Sequence, residues 1–370
     1  MVNLDVTGGS VGNRSSFDGE YRLAVALAER SQYLTYVKGA AMFVDQMRGG
    51  TNSSNVPSAA FAMPDGMSMR YDLPDAALAE YLTGYAIYSS ADRAPMLNWY
   101  LPAPAMISIL VDAGPLTVSI GNHRLGPLDR ASFYGPTSRA FRTETTGGIA
   151  VGIGLSALGW ARLTSRSAGD YHNRIVPLGS VLGAGLAGRL TGGLDALDDD
   201  AFIKPLLDSV LGPLFHRPHP REDLIRAFAA LTVTDGVIEM RDVAERLDIP
   251  THDLRRMATR YFGMPPKLLL RRARFLRSFT RLMMTEGASD YSSIDSSYFD
   301  ASHFLRDAGT FLGTTPRRFM ASETIFLKAS LRARAAVIGP PTQALHAAQK
   351  TAAHVTSRSA GDQGGSQPQL

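Results

Sequence analysis

The 370-residue chain contains no cysteine. That excludes disulfides and thiolate metal sites and fits a reducing, cytoplasmic compartment. No run reaches the roughly eighteen apolar residues of a membrane span, so no membrane association is expected. The start, Met1-Val-Asn-Leu-Asp-Val, lacks a basic region followed by an apolar one, so no signal peptide is expected. Tryptophan occurs only at Trp99 and Trp160, both read as core residues. Catalytic patterns are missing too: no Ser/His/Asp or paired-carboxylate arrangement stands out, and no catalytic residue is assigned. His216-x-x-His219 is broken by Pro218 and has no third ligand at a useful spacing. Asp195 and Asp198 to Asp200 lack the ligand order and glycine of a calcium loop. Gly147-Gly148 with Gly152 and Gly154 is not followed by Gly-Lys-Ser/Thr. Neither a metal nor a cofactor is expected.

What is present is an uneven charge. The chain carries a formal +4. Residues 240–334 hold 17 Lys/Arg against 10 Asp/Glu, a net of +7, which leaves −3 for the rest. A basic module on a mildly acidic remainder suits a polyanion-binding domain joined to something else.

The same stretch contains a short pattern twice. Leu254-x-Arg256-x-Ala258 precedes Gly263 and Pro266; Phe304-x-Arg306-x-Ala308 precedes Gly313 and Pro316. Every matched position is offset by fifty residues, so one structural unit is used twice. Leu254, Met257, Ala258 and Tyr261 form one buried helical stripe, and Phe304, Ala308 and Phe311 form another. Gly263 and Gly313 suit left-handed caps, with the prolines as stops. A shorter helix is expected before each copy, over Met240 to Asp248 and Ser289 to Ser297, with tight connections at Asp248-Ile249-Pro250 and Tyr298-Phe299-Asp300. Helix, turn, amphipathic helix is the helix-turn-helix. Between the copies, Pro266 to Met284 reads as a long linking helix. Its apolar face runs from Leu268 to Met283, and Arg271, Arg272, Arg274, Arg277 and Arg281 cover its other faces.

This ordered series resembles the DNA-binding domain of the AraC/XylS transcription regulators. The residues that carry the resemblance are Val243-Ala244, Leu254, Arg256, Gly263, Pro266, Arg274-Phe-Leu-Arg277, Asp300, Ser302-His303-Phe304, Arg306, Gly313, Thr315-Pro316 and Phe319. Alanine stands at 258 and 308 where the family usually has an aromatic residue. Ser292-Ser293 and Ser297 stand where it has Ile/Leu-Ala and glycine, so the second unit is expected to be the weaker reader. The resemblance implies double-stranded promoter DNA as partner and transcription activation as a role. A small-molecule effector, RNA polymerase and a second copy of the chain are further partners it suggests. DNA contacts are assigned to Thr251, His252, Arg255, Arg256 and Arg260 in the first unit, and to Ser302, His303, Arg306 and Arg317 in the second. Two reading helices on one rigid spacer predict two sequence elements about 10 bp apart.

Upstream, short apolar runs alternate with turn signals from Met67 to about Ser165: Leu82 to Tyr88, Met106 to Val111, Leu116 to Ile120, Ala131 to Tyr134 and Gly148 to Gly154. Asp112 to Pro115 and Gly121 to Gly126 read as hairpin connections. The expected fold is multidomain α+β, with a mostly-β, cupin-like or barrel-like N-terminal domain and an all-α C-terminal domain. Residues 1–66 are an extension with a helix over Phe17 to Met47, and 67–215 a sensing domain ending in helices. Residues 216–220 are a linker, 221–326 the double helix-turn-helix domain, and 327–370 a mostly disordered tail. The competing reading is a cupin-like small-molecule-binding protein or enzyme with a helical assembly domain. A regulator controlled by a partner on residues 17–48 is a third.

Overall fold

The computed structural model describes residues 62–63, 66–90, 95–234, 239–285, 294–295, 298–322 and 324–346. The N-terminal extension before residue 62 and the tail after residue 346 lie outside the described residues. So do Ser292, Ser293 and Ser297.

Ten strands form two antiparallel sheets. They are β1 (Met67–Asp72), β2 (Leu82–Ser90), β3 (Met96–Tyr100), β4 (Met106–Val111), β5 (Thr117–Ile120), β6 (His123–Leu125), β7 (Ala131–Tyr134), β8 (Phe141–Thr145), β9 (Gly148–Leu155) and β10 (Ile175–Pro177). Six strands run in the order β1-β2-β9-β4-β7-β10 and four in the order β3-β8-β5-β6. Alternation along the strands sorts side chains between two layers. On the six-stranded sheet, Ile87, Ile107, Ile109, Phe133, Val151 and Ile153 join one core, facing the helices. Their neighbours Leu110 and Tyr134 join Val118, Ile120 and Phe141 in a second core between the sheets. The turn at Asp112 to Pro115 differs from expectation: it carries the chain from β4 in one sheet to β5 in the other. Turn residues signal a reversal, but which sheet receives the next strand is decided by the apolar face of β5, whose Val118 and Ile120 fill the space between sheets. Gly121 does join a hairpin, β5 to β6.

Helices α1 (Ala157–Leu163), α2 (Leu178–Leu182), α3 (Ala184–Asp195) and α4 (Ile203–Leu211) pack on the outer face of the large sheet. Leu158, Trp160, Leu186, Leu190, Leu207 and Leu211 are buried there, each worth about 1.5–3 kcal/mol in removed apolar surface. The same cluster continues without a break into α5 (Glu222–Val233), α6 (Met240–Arg246) and α7 (Thr251–Met257). A π-turn at Ala258–Phe262 and the cap Gly263, at φ +80°, end that unit. The long helix α8 runs Pro266–Met284, then α9 spans Ala301–Phe311 and α10 Pro316–Met320. The mostly-β N-terminal part and all-α C-terminal part are as expected.

Two features depart from the sequence reading. Arg272 and Arg274 do not cover solvent faces of α8; each is 4% exposed. Arg272 donates from Nη1 to the carbonyls of Ala103 (3.2 Å) and Thr137 (2.8 Å), tying α8 to the β domain. Residues 327–346, expected to be disordered, contribute most of helix α11 (Ile325–Ile338) and a turn at Gln343–Leu345. Phe326, Leu327, Ala329, Leu331 and Ala333 are buried; their helical spacing outweighs the Gly/Pro signal that begins only at Gly339.

The two caps give a paired test. A Cβ on Gly263 would lie 2.6 Å from Pro136 Cγ, whereas one on Gly313, at φ +76°, meets nothing within 4 Å. Gly313→Ala should cost about 1–2 kcal/mol for its left-handed backbone alone, and Gly263→Ala clearly more, by urea unfolding. A pH test concerns His346, which burial holds down to about 4, with Arg334 nearby adding to the effect. The unfolded imidazole takes its proton near pH 6.5 and the folded one only near 4. Stability should therefore fall as pH drops from 6.5 to 4, and His346→Gln should flatten that part of the profile.

Candidate nucleic-acid interface

In the first unit the helical period separates a packed face from a free one. Leu254, Met257, Ala258 and Tyr261 are buried. Thr251, His252, Arg255, Arg256, Thr259 and Arg260 are exposed. Ala258 is fully buried, so a small residue suits the close packing at this position. The turn before α7 places Asp248 at φ +50°, a conformation that Asp tolerates better than most residues.

Arg255, Arg256 and Arg260 line one open depression of about 840 Å³ together with Arg221, Ser167 and Thr259. Arg256 pairs with Asp253 at 2.5 Å on the exposed side of α7. Arg260 donates to the carbonyl of Ser165 at 2.9 Å. Arg255 makes no ion pair among the described residues and points a full charge into the depression. Arg221 was missed in the sequence because it lies some thirty residues before the helix it joins. His219 Nδ1 accepts the Arg221 N–H at 3.2 Å, and its Nε2 lies 3.3 Å from the Tyr261 hydroxyl. Burial, with Arg260, Arg221 and Arg162 nearby, holds this imidazole below its ordinary value against the opposing pull of Glu222. His219 therefore acts as a neutral structural acceptor.

The second unit is built differently. Asp300 caps α9 by accepting the His303 N–H at 2.7 Å, and Thr315 Oγ1 accepts the Arg318 N–H at 3.3 Å to start α10. Phe304, Ala308 and Phe311 are buried as the stripe predicts, and so is Asp307, at 0% exposure. Its carboxylate accepts Arg271 Nη2 at 2.6 Å, Arg274 Nη2 at 2.9 Å and the Tyr298 hydroxyl at 2.8 Å. Burial works against the Arg274 charge, but Asp307 and Tyr298 outweigh it and raise its pKa. Asp307 was legible in part: it stands three residues after Phe304, on the packed face. The sequence reading passed over it.

Of the residues assigned here, Ser302, Arg306 and Arg317 are exposed. Among the described residues Arg306 reaches only the Ser302 carbonyl, at 3.4 Å. His303 is half-buried; its Nε2 lies 3.1 Å from Arg274 Nη2 and its ring packs on Tyr298. It belongs to the internal cluster as much as to the surface. The end of α9 is held by the β domain, where the Ala140 N–H donates to the Phe311 carbonyl at 2.6 Å. Trp99 packs edge-on against Phe319 nearby, ring centres 5.1 Å apart. Among the described residues no group of three or more His, Asp or Glu could hold a metal ion, and no helix is long and apolar enough to cross a membrane.

No family model matches the chain, and no curated protein does. Among solved structures, a lysine-to-alanine variant of apo ToxT from Vibrio cholerae is 10% identical, with a TM-score of 0.36 over 66% of this chain and 98% of that one. Unsaturated-fatty-acid-bound ToxT from the same organism is 11% identical, with a TM-score of 0.34 over 64% and 94%. The AraC-like transcriptional activator CuxR is 14% identical, with a TM-score of 0.20 over 57% and 86%. These likenesses are too distant to carry weight by themselves.

Removing the Asp307 carboxylate leaves the buried Arg274 guanidinium without its counter-charge, while Arg271 can turn towards water. Asp307→Ala should destabilise the protein by about 3–5 kcal/mol, the range for breaking one side of a buried ion pair. Replacing Asp307 and Arg274 together by apolar residues of similar size should recover much of that loss. Urea unfolding of both variants checks this.

Proposed function

We propose that this chain is a sequence-specific DNA-binding transcription regulator of the AraC/XylS kind, acting on promoter DNA through α7 and α9. The observation that carries the reading is the arginine-lined depression of the first unit, Arg221, Arg255, Arg256 and Arg260, on the free face of a helix whose other face is packed. Four guanidinium groups, only Arg256 of them ion-paired to a carboxylate among the described residues (Asp253), make a surface suited to a polyanion. Arginine can also pair bidentately with guanine in the major groove.

Roles follow from what each side chain already does. Arg255 makes no ion pair among the described residues and is the base-reading candidate, beside Thr251 and His252 at the start of α7. Arg256 and Arg260, already tied to Asp253 and Ser165, suit phosphates, which position the protein without specifying sequence. In the second unit Ser302, Arg306 and Arg317 are the exposed contacts, and His303 contributes by setting the pose of α9. The cavity between the two sheets, lined from both, is the place for an effector.

Arg255→Ala should weaken binding to the preferred duplex by about 1–3 kcal/mol and relax the choice at one base pair. Arg256→Ala and Arg260→Ala should weaken all duplexes alike and each reduce the salt slope by about one. Fluorescence anisotropy across salt concentrations reads both effects. Loss from Arg255→Ala that is equal on every sequence would assign Arg255 to phosphate and sink its reading role.

A further inference from the structure

The sandwich encloses a cavity of about 90 Å³ between its sheets. Small residues make the space: Ser108, Ala150 and Gly152 point inward from β4 and β9, where larger side chains would fill it. A Cβ on Gly152 would meet only ordinary contacts at 3.6–3.8 Å, so nothing in the packing demands a glycine there. Among the described residues no Asp, Glu, Lys, Arg or His lines the cavity. Its polar groups are hydroxyls and one amide, with Tyr88, Tyr100 and Tyr134 among them. Burial pushes all three phenols above their ordinary value, so they remain neutral donors and acceptors.

One wall does not belong to the sandwich. Phe326 of α11 lines the cavity, packed edge-on against Tyr88 and Tyr100 at 5.3 and 5.8 Å between ring centres. Helix α11 lies across β1 and β3, the outer strands of the two sheets, and so closes the gap between them. The next residue, Leu327, and Leu331 are buried with Phe304, Phe311 and Phe319 in the core of the second helix-turn-helix unit. The seat of α11 is not uniformly favourable. Arg334 is 4% exposed with no carboxylate partner among the described residues; it donates to the Thr83 carbonyl at 3.0 Å, and its Nε has no partner. Burying a charge without a counter-charge is costly.

Size then decides the order of events. An apolar cavity of about 150 Å³ is the scale that admits benzene. This one is smaller, so a ligand with more than one ring must move a wall, and the strands are fixed by their ladders. We propose that the cavity binds an uncharged, mostly apolar small molecule, that Phe326 must leave for it to enter, and that α11 thereby signals occupancy to the second reading unit. The site and its lid stand on the cavity and the packing of Phe326; only the effect on DNA rests on the function proposed above.

The probes are 2-naphthol and 2-naphthoate, equal in ring size and different in charge at pH 7, added to the full chain. 2-Naphthol should raise the melting temperature and 2-naphthoate should not, and 2-naphthol should increase hydrogen exchange in residues 325–338 of the unmodified protein. Ala150→Leu, which fills the cavity, should abolish the thermal shift. Phe326→Ala should tighten 2-naphthol binding roughly tenfold, because no side chain has to leave first. Equal shifts from both probes, no shift from 2-naphthol, or exchange in α11 that 2-naphthol leaves unchanged would each overturn the proposal. If these readouts hold but operator affinity ignores 2-naphthol, the site stands and the coupling to DNA fails.

Discussion

Three arginines on one helix hold the parts of this protein together. Arg271 and Arg274 of α8 grip Asp307 and so set the pose of α9. Arg272, between them, turns the other way and donates to two carbonyls of the β domain. Burial lowers Arg272 to about 10, still far above neutrality, so it stays charged and needs those carbonyls. An exposed ion pair contributes little, but Arg272, Arg274 and Asp307 are out of water, where losing a partner is costly. Part of the positive charge of residues 240–334, the part carried by α8, is therefore internal mortar.

The consequence is that the β domain touches both helical units. The first is held where Gly263 meets Pro136 and Arg260 meets Ser165. The second is held by Ala140, Trp99 and, through α11, the edge of the sandwich. A ligand shifts an equilibrium only as far as it binds two arrangements differently. The structure supplies one place where that difference can arise, because Phe326 belongs both to a cavity wall and to a helix rooted in the second unit.

Much of the C-terminal half was legible in the sequence because helix-turn-helix packing is local. A stripe at i, i+3, i+4, a glycine cap and a proline stop are all decided within a dozen residues, and Leu254 to Pro266 shows them in order. The strands were partly legible: Met106 to Val111 is a short apolar run bounded by turn signals, but β3, with Asn98 between Leu97 and Trp99, and β8, with Arg142 and Glu144, carry too much polarity to stand out. What the sequence could not show were contacts between distant segments. Arg221 reaches the α7 surface from the turn before α5, and Arg272 looks like a solvated residue until the β domain covers it. Helix α11 was missed for a different reason. The glycines and prolines after Ile338 colour the composition of the whole tail and hide the apolar spacing from Phe326 to Ala333.

The central claim is that the outward faces of α7 and α9 read DNA as a fixed pair. The most direct measurement is selection of duplexes from a random pool by the full chain, followed by footprinting of the enriched sequence. The account predicts two protected elements on one face, about one helical turn or 10 bp apart, with affinity falling steeply as salt rises. Recovery of no preferred sequence, or binding indifferent to salt, would contradict it.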